Sequence, residues 1–331
     1  MLQVLRIAPL SSVQDAGRRQ WRALGVPEGG PLDEWSHGVA NVLVGNDADC
    51  AALEIGFGHS QLRFDCDALI AVAGARVPVY ADGQALARWR PVRLRAGCTV
   101  DIQPARSGVR CYLAVAGGLD SPRVMGSASA LHGAPGFPGL LRTGQSLPLS
   151  PLPARAWPGL PPPARGQGAM RQASWWADAE PLLDLGAHAA LRIVEGAHAH
   201  MLHDRLQWFR SEFRMSAQAN RMAAPLEGSR LNIRDAGRLV SEPVVPGTIQ
   251  LPGDGRPIIL LADAQTVGGY PRVAHLAQVD LARLAQRPPG SAIRFESISI
   301  DWAQRIWCWR RERLARLQLA SKARLCAARG P

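Results

Sequence analysis

Two short segments in the carboxy-terminal half gather side chains able to grip a small polar molecule. Gly247-Thr248-Ile249-Gln250 and Gln265-Thr266-Val267-Gly268-Gly269-Tyr270 combine side-chain amides, hydroxyls and paired glycines. Amides and hydroxyls supply hydrogen bonds of either sense, and glycine lets backbone N–H groups approach a ligand closely. On this reading Gln250, Gln265, Thr266 and Tyr270 are the leading contacts. The structural alternative is a tight turn at Gly268-Gly269 and a Gln250 amide that satisfies a neighbouring backbone group. Arg272 follows closely, and because arginine stays charged in practice it can clamp a carboxylate but is a poor base.

Asp15, Glu54 and Asp263 are embedded in apolar or glycine-containing sequence. Burial there would raise their pKa and favour general acid or base work, with Asp263 the foremost candidate. The alternative for each is a turn cap or an ion pair with one of the many arginines. His198, His200 and His203 form a histidine cluster, but the first two alternate as strand residues do and no carboxylate completes a ligand set, so no metal is assigned. The six cysteines are scattered without a Cys-x-x-Cys pair, which fits small apolar filling in a reducing compartment.

The elements that must carry these residues read as strands and tight turns. Val77 to Leu86 is a hairpin pattern with Asp82-Gly83 at its tip, since that pair tolerates the positive φ angles of a two-residue turn. Val92 to Arg95 and Val100 to Gln103 alternate apolar and polar residues, and Arg110 to Ala116 is a longer apolar strand. A helix is expected over Asp33 to Val44, capped by Asp33. In the second half, helices are expected around His200 to Phe209 and Asp280 to Gln286. Strands are expected at Leu191 to Val194, Pro257 to Ala262 and Ile293 to Ile300. From Trp302 onward apolar residues recur at three- and four-residue steps, the pattern of a helix.

The 331 residues exceed the usual size of a single core, so two β-rich domains are expected, 1–150 and 191–300. A proline-rich linker or loop over 151–190 separates them, and a basic helical tail spans 301–331. Of the net charge of +11, a surplus of six lies between Asp301 and Pro331. The tail helix fits either a docked helix with a solvated basic face or contact with a membrane surface or an acidic partner. The body is only mildly basic and lacks the interleaved aromatic and basic residues that stack bases, which argues against nucleic acid. No apolar run approaches the roughly 20 residues that cross a bilayer, and no secretory leader opens the sequence, so a cytoplasmic location is expected.

Several segments combine glycine, polar and apolar residues in orders that packing alone does not demand. They include Ser12-Val13-Gln14-Asp15-Ala16-Gly17-Arg18, Ala52-Leu53-Glu54, Tyr112 to Asp120, Val245-Pro246-Gly247-Thr248-Ile249-Gln250-Leu251-Pro252, and Leu261 to Arg272. In these the chain resembles the family of 5-oxoprolinase C subunits, also known as the biotin-dependent carboxyltransferase-like or allophanate hydrolase subunit 2 family, over about residues 3 to 299. The resemblance implies a mainly β fold of two cyclophilin-like β-barrel domains with a few short helices and a C-terminal helix. It implies an ATP-dependent complex with subunits B and A that opens 5-oxo-L-proline to L-glutamate. The related domain of urea amidolyase passes a carboxyl group from carboxybiotin to urea.

From that resemblance the substrate is a small amide or lactam. Asp263, Gln265, Tyr270 and Arg272 are expected to be catalytic, and Asp15, Glu54, Thr248, Gln250, Thr266, Gly268 and Gly269 to bind substrate. No cofactor is expected on the chain itself. ATP is used by the complex, since no phosphate-binding Gly-x-x-x-x-Gly-Lys-Ser/Thr loop is present, and carboxybiotin would arrive on a separate carrier. Two other roles remain open: carboxyl transfer to urea or another small amide, and non-catalytic regulation of a kinase inhibitor that resembles the B-type subunit. Arg272 stands where the family commonly has lysine. Ser127 to Ala130, Asn220 to Pro225 and Ser241-Glu242-Pro243 also depart from its pattern.

Overall fold

The computed structural model describes residues 1–149, 157–163, 168–183, 189–234 and 239–327. The chain is mainly β, with few helices and a long C-terminal one, as the sequence leads one to expect. It divides into two compact units: 1–17, 33–183 and 311–331 form the first, and 18–32 with 184–310 form the second.

In the first unit, two six-stranded antiparallel sheets enclose one apolar core. One sheet runs in the order Ser146–Leu147, Leu2–Arg6, Ser60–Phe64, Thr99–Ile102, Val79–Ala81, Gln84–Leu86. The other runs Met170–Gln172, Val92–Leu94, Ala68–Gly74, Cys111–Val115, Ala52–Ile55, Ser12–Gln14. Asp82 and Gly83 both take positive φ at the hairpin tip, the backbone that the Asp-Gly pair predicts. Helix α1 (Glu34–Leu43) is capped by Asp33, whose carboxylate accepts from the Ser36 N–H at 2.9 Å and the Ser36 hydroxyl at 2.6 Å. The Tyr112 hydroxyl ties this cap to the sheet: it accepts from the Asp33 N–H at 2.9 Å and donates to Glu54 Oε2 at 2.7 Å.

Of the proline-rich stretch, residues 151–156, 164–167 and 184–188 lie outside the described residues. Its described parts, 157–163 and 168–183, belong to the first unit, where Met170–Gln172 pairs with Val92–Leu94. The stretch expected to be a linker or loop thus contributes a strand to the first unit.

In the second unit an eight-stranded sheet follows the order Ala292–Ile293, Phe213–Met215, Ala223–Gly228, Ile258–Leu260, Thr248–Gln250, Arg272–Leu276, Leu191–Glu195, Phe295–Ser297. Its two outermost strands are consecutive in the chain, with Arg294 alone between them, so the sheet curls into a nearly closed barrel. A two-stranded ribbon, Glu242–Pro243 with Val267–Gly268, stands beside it. The helix expected around His200 resolves into a 3-10 turn, Ala199–Met201, and helix α2 (Arg205–Arg210), because Asp204 caps a fresh start by accepting from the Leu206 N–H. Helix α3 (Gln278–Ala285) buries Asp280 completely.

The tail is one helix, α4 (Ile300–Cys326). Within the second unit, Arg310 Nη1 donates to the Val279 carbonyl at 2.6 Å. Within the first, Leu314 lies where a Cβ on Gly38 of α1 would come within 2.9 Å, and Leu325 is buried. Arg305, Arg313 and Arg316 are exposed, so the helix docks while its basic face stays solvated. Among the described residues, no helix is long and apolar enough to cross a membrane.

Two predictions follow from the buried polar groups. Tyr112→Phe removes a hydroxyl that serves two buried partners, and should cost about 2 kcal/mol in urea unfolding. Asp280 accepts from the Arg192 backbone N–H at 2.7 Å, Nε at 3.0 Å and Nη2 at 2.5 Å, with Arg283 Nη1 at 3.2 Å. Burial alone would raise its pKa, but the hydrogen bonds from Arg192 and the charges of Arg283 and Arg192 outweigh it and hold the carboxyl below its ordinary value. A depressed folded pKa means that this stabilisation is complete above the unfolded value of about 3.9 and is lost as pH falls through the folded one. Asp280→Asn should cost about 3 kcal/mol at neutral pH, and the gap to the parent protein should close as urea titrations are moved below about pH 4.

Candidate functional site

Strands Thr248–Gln250 and Arg272–Leu276 pair antiparallel, with Thr248 opposite His275, Ile249 opposite Ala274 and Gln250 opposite Arg272. The register slips by one residue between the last two pairs, a β-bulge that absorbs Val273. Residues opposite one another share a face, so Ile249 and Ala274 enter the core, joined by Val273. Thr248, Gln250, Arg272 and His275 all lie on the other face. Without the bulge Arg272 and His275, three apart, would point to opposite faces.

The ribbon sits against this polar face. Gly268 is so close to Gln250 that a Cβ there would lie 2.5 Å from Nε2. Gln250 is 2% exposed, and its Nε2 is buried without a hydrogen-bond partner. Arg272 ties its strand to the ribbon: Nη2 pairs with the Glu242 carboxylate and Nη1 donates to the Pro243 carbonyl at 3.5 Å, while its buried Nε has no partner. Thr248 Oγ1 accepts from the Val245 N–H at 3.2 Å, shaping the turn that precedes the strand. Thr266 is buried and its carbonyl accepts from the Val244 N–H at 2.9 Å. Gln265, Gly269 and Tyr270 are exposed beyond it, and the Pro271 carbonyl accepts from the Leu251 N–H. Unsatisfied buried donors are costly, and a ligand carbonyl or carboxylate is what would satisfy them.

The three carboxylates are engaged. Asp263, in the second unit, is held in a bidentate pair by Arg221, from Nε to Oδ2 at 2.9 Å and Nη2 to Oδ1 at 3.1 Å. Arg221 Nη2 also donates to the Gly30 carbonyl at 2.5 Å, so this pair fastens the 18–32 segment to its own unit. Asp15, in the first unit, accepts from the hydroxyls of Ser127 at 2.5 Å and Ser129 at 2.7 Å, and from the N–H groups of Ala128 at 2.7 Å and Gly17 at 3.0 Å. Burial alone would raise its pKa, but these donors hold it below the ordinary carboxylate value. Glu54, in the same unit, takes the Tyr112 hydroxyl. The histidine cluster is likewise occupied with local contacts: His198 Nδ1 accepts from the Arg272 N–H at 3.1 Å, and His200 Nδ1 lies 3.1 Å from the Ala197 carbonyl. Among the described residues, no three His, Cys, Asp or Glu side chains gather as a metal site would require.

A surface cavity of about 650 Å³ opens elsewhere in the second unit, lined by His203 of the histidine cluster, Arg230 and Asp254 among others, and contains none of the residues expected to be catalytic or to bind substrate. The unpartnered donors of Gln250 and Arg272 lie outside this cavity. His275 and Glu242 are the members of the polar group that the sequence reading did not select as site residues.

The carboxyltransferase domain family, subdomains A and B, matches residues 24–297. The C subunit of 5-oxoprolinase from Escherichia coli (strain K12) is 36% identical over 309 residues, which cover 92% of this chain and 93% of that protein. Urea amidolyase of Saccharomyces cerevisiae is 28% identical over 88% of this chain, which spans only 16% of that protein. The crystal structure of the Kluyveromyces lactis urea carboxylase superposes with a TM-score of 0.82 at 24% identity, covering 97% of this chain and 29% of that one. The chain belongs to the carboxyltransferase domain family with subdomains A and B, and is homologous both to 5-oxoprolinase C subunits and to the corresponding domain of urea amidolyase.

Proposed function

We propose that this chain is the C-type subunit of an ATP-dependent 5-oxoprolinase, acting with subunits A and B in the cytoplasm to convert 5-oxo-L-proline to L-glutamate. Identity spread over nearly the full length of the Escherichia coli protein supports this reading, while the urea amidolyase relatives are far longer proteins. The observation that carries it is the unpartnered Gln250 amide beside Gly268 and Arg272. A lactam carbonyl that accepts from Gln250 Nε2 has its developing negative charge stabilised by a donor already in place. The Arg272 Nε–H answers the substrate carboxylate, and the guanidinium stays charged throughout. Asp263 is fastened to Arg221, so it serves by holding the unit together. ATP is bound by a partner protein of the complex.

The test is glutamate release by the complex reconstituted from this chain and subunits A and B. Gln250→Ala should lower kcat/KM for 5-oxoproline by roughly 100-fold, the usual effect of removing one such donor. Gly268→Ala should do comparable damage, because its methyl group would occupy the place of the amide. No release from the complete set, with carboxyl transfer from an added carboxybiotin carrier to urea, would replace this reading with the carboxyltransferase one that the family match also favours.

A further inference from the structure

The polar face of the Thr248–Gln250 and Arg272–Leu276 pair holds one group that the reading above leaves unused, His275. It lies directly opposite Thr248, two residues along the strand from the Gln250 position, a separation of roughly 7 Å at the strand rise. Side chains of glutamine and histidine bridge such a distance onto one small molecule. Three observations single His275 out. Its ring makes no hydrogen bond among the described residues, although every other polar side chain of this face has at least one or is an unpartnered donor. It is half-buried, so one edge remains within reach of a ligand. It also packs against the turn at Gly247, where φ is +90° and a Cβ would lie 3.1 Å from Nε2, so the chain is shaped to leave the imidazole room. Burial lowers its pKa, which keeps the ring neutral and one ring nitrogen free to accept a hydrogen bond.

Donors already abound on this face: Gln250 Nε2 and Arg272 Nε are both unpartnered. A ligand that only accepts would need nothing from His275. An amide bearing a hydrogen on nitrogen both accepts through oxygen and donates through N–H, and in a lactam ring the two point to the same side. We propose that His275 accepts the substrate's amide N–H, making it the residue that restricts this site to lactams and amides with an unsubstituted nitrogen. The proposal rests on the assignment of the Gln250 face as the amide site and adds to it the half of the recognition that Gln250 does not perform. A site built to bond an N–H discriminates strongly against an analogue without one, because the acceptor is then buried unpaired.

The experiment compares 5-oxo-L-proline with its N-methyl analogue as ligands of the complete complex with subunits A and B, by calorimetric binding in the absence of ATP. The parent protein should bind the N-methyl compound at least 10-fold more weakly. His275→Ala should weaken 5-oxoproline binding and bring the ratio of the two affinities close to one, while His275→Gln, which retains an acceptor, should restore part of the discrimination. Thermal melting of each variant separates a folding defect from a binding one, and a merely structural histidine would change both affinities by the same factor. If Gln250→Ala abolishes lactam binding while the discrimination of His275→Ala and of His275→Gln stays at the parent value, the role of His275 is overturned and the amide site stands. If neither Gln250→Ala nor the His275 variants alter binding, or if the parent binds neither ligand, both assignments fall.

Discussion

The site depends on a single slip in register between two strands. Had Thr248–Gln250 and Arg272–Leu276 paired without a bulge, Arg272 and His275 would face opposite sides, and one of them would enter an apolar core. Absorbing Val273 puts that residue and Ala274 together on the core side and leaves four polar side chains on the other. The Glu242 to Gly268 ribbon then depends on this face. Arg272 holds it through Glu242, and it closes over Gln250 only because residue 268 has no side chain.

The polar groups of the chain divide into those that are satisfied internally and those that are not. Asp15, Glu54, Asp263 and Asp280 each have close donors, and for Asp15 and Asp280 the donors outweigh burial and lower the pKa. Such groups fix turns, caps and segments in place. Gln250 and Arg272 keep a buried donor nitrogen with no partner. Unpartnered buried donors also occur elsewhere, at Arg90 and Trp208 for instance, so what distinguishes Gln250 and Arg272 is that they lie opposite one another on one face.

Much of this was legible in the residues themselves. Alternation, the Asp82-Gly83 turn and the Asp33 cap act over a few positions, and the corresponding strands, hairpin and helix appear within a residue or two of where they were expected. The two glycine-bearing loops stand out in sequence because their composition exceeds what packing needs, and the structure brings Gln250, Gly268 and Arg272 of these loops together. What could not be read is set by distant partners. The bidentate hold of Arg221 on Asp263 spans 42 positions, and nothing local shows which of the many arginines a carboxylate will meet. His275 was hidden for a different reason. Period-two counting from Arg272 assigns it to the wrong face, and a bulge leaves no mark in composition.

The curled sheet of the second unit carries a further implication. Its first and last strands adjoin in the chain at Arg294, and the Leu191 N–H already donates to the carbonyl of that residue, so the rims that would template another chain's backbone are largely used up within the fold. Any protein that assembled on this unit would therefore recognise side chains rather than lengthen the sheet. Any pairing specificity of this unit then rests on surface residues, which can diverge while the barrel stays the same.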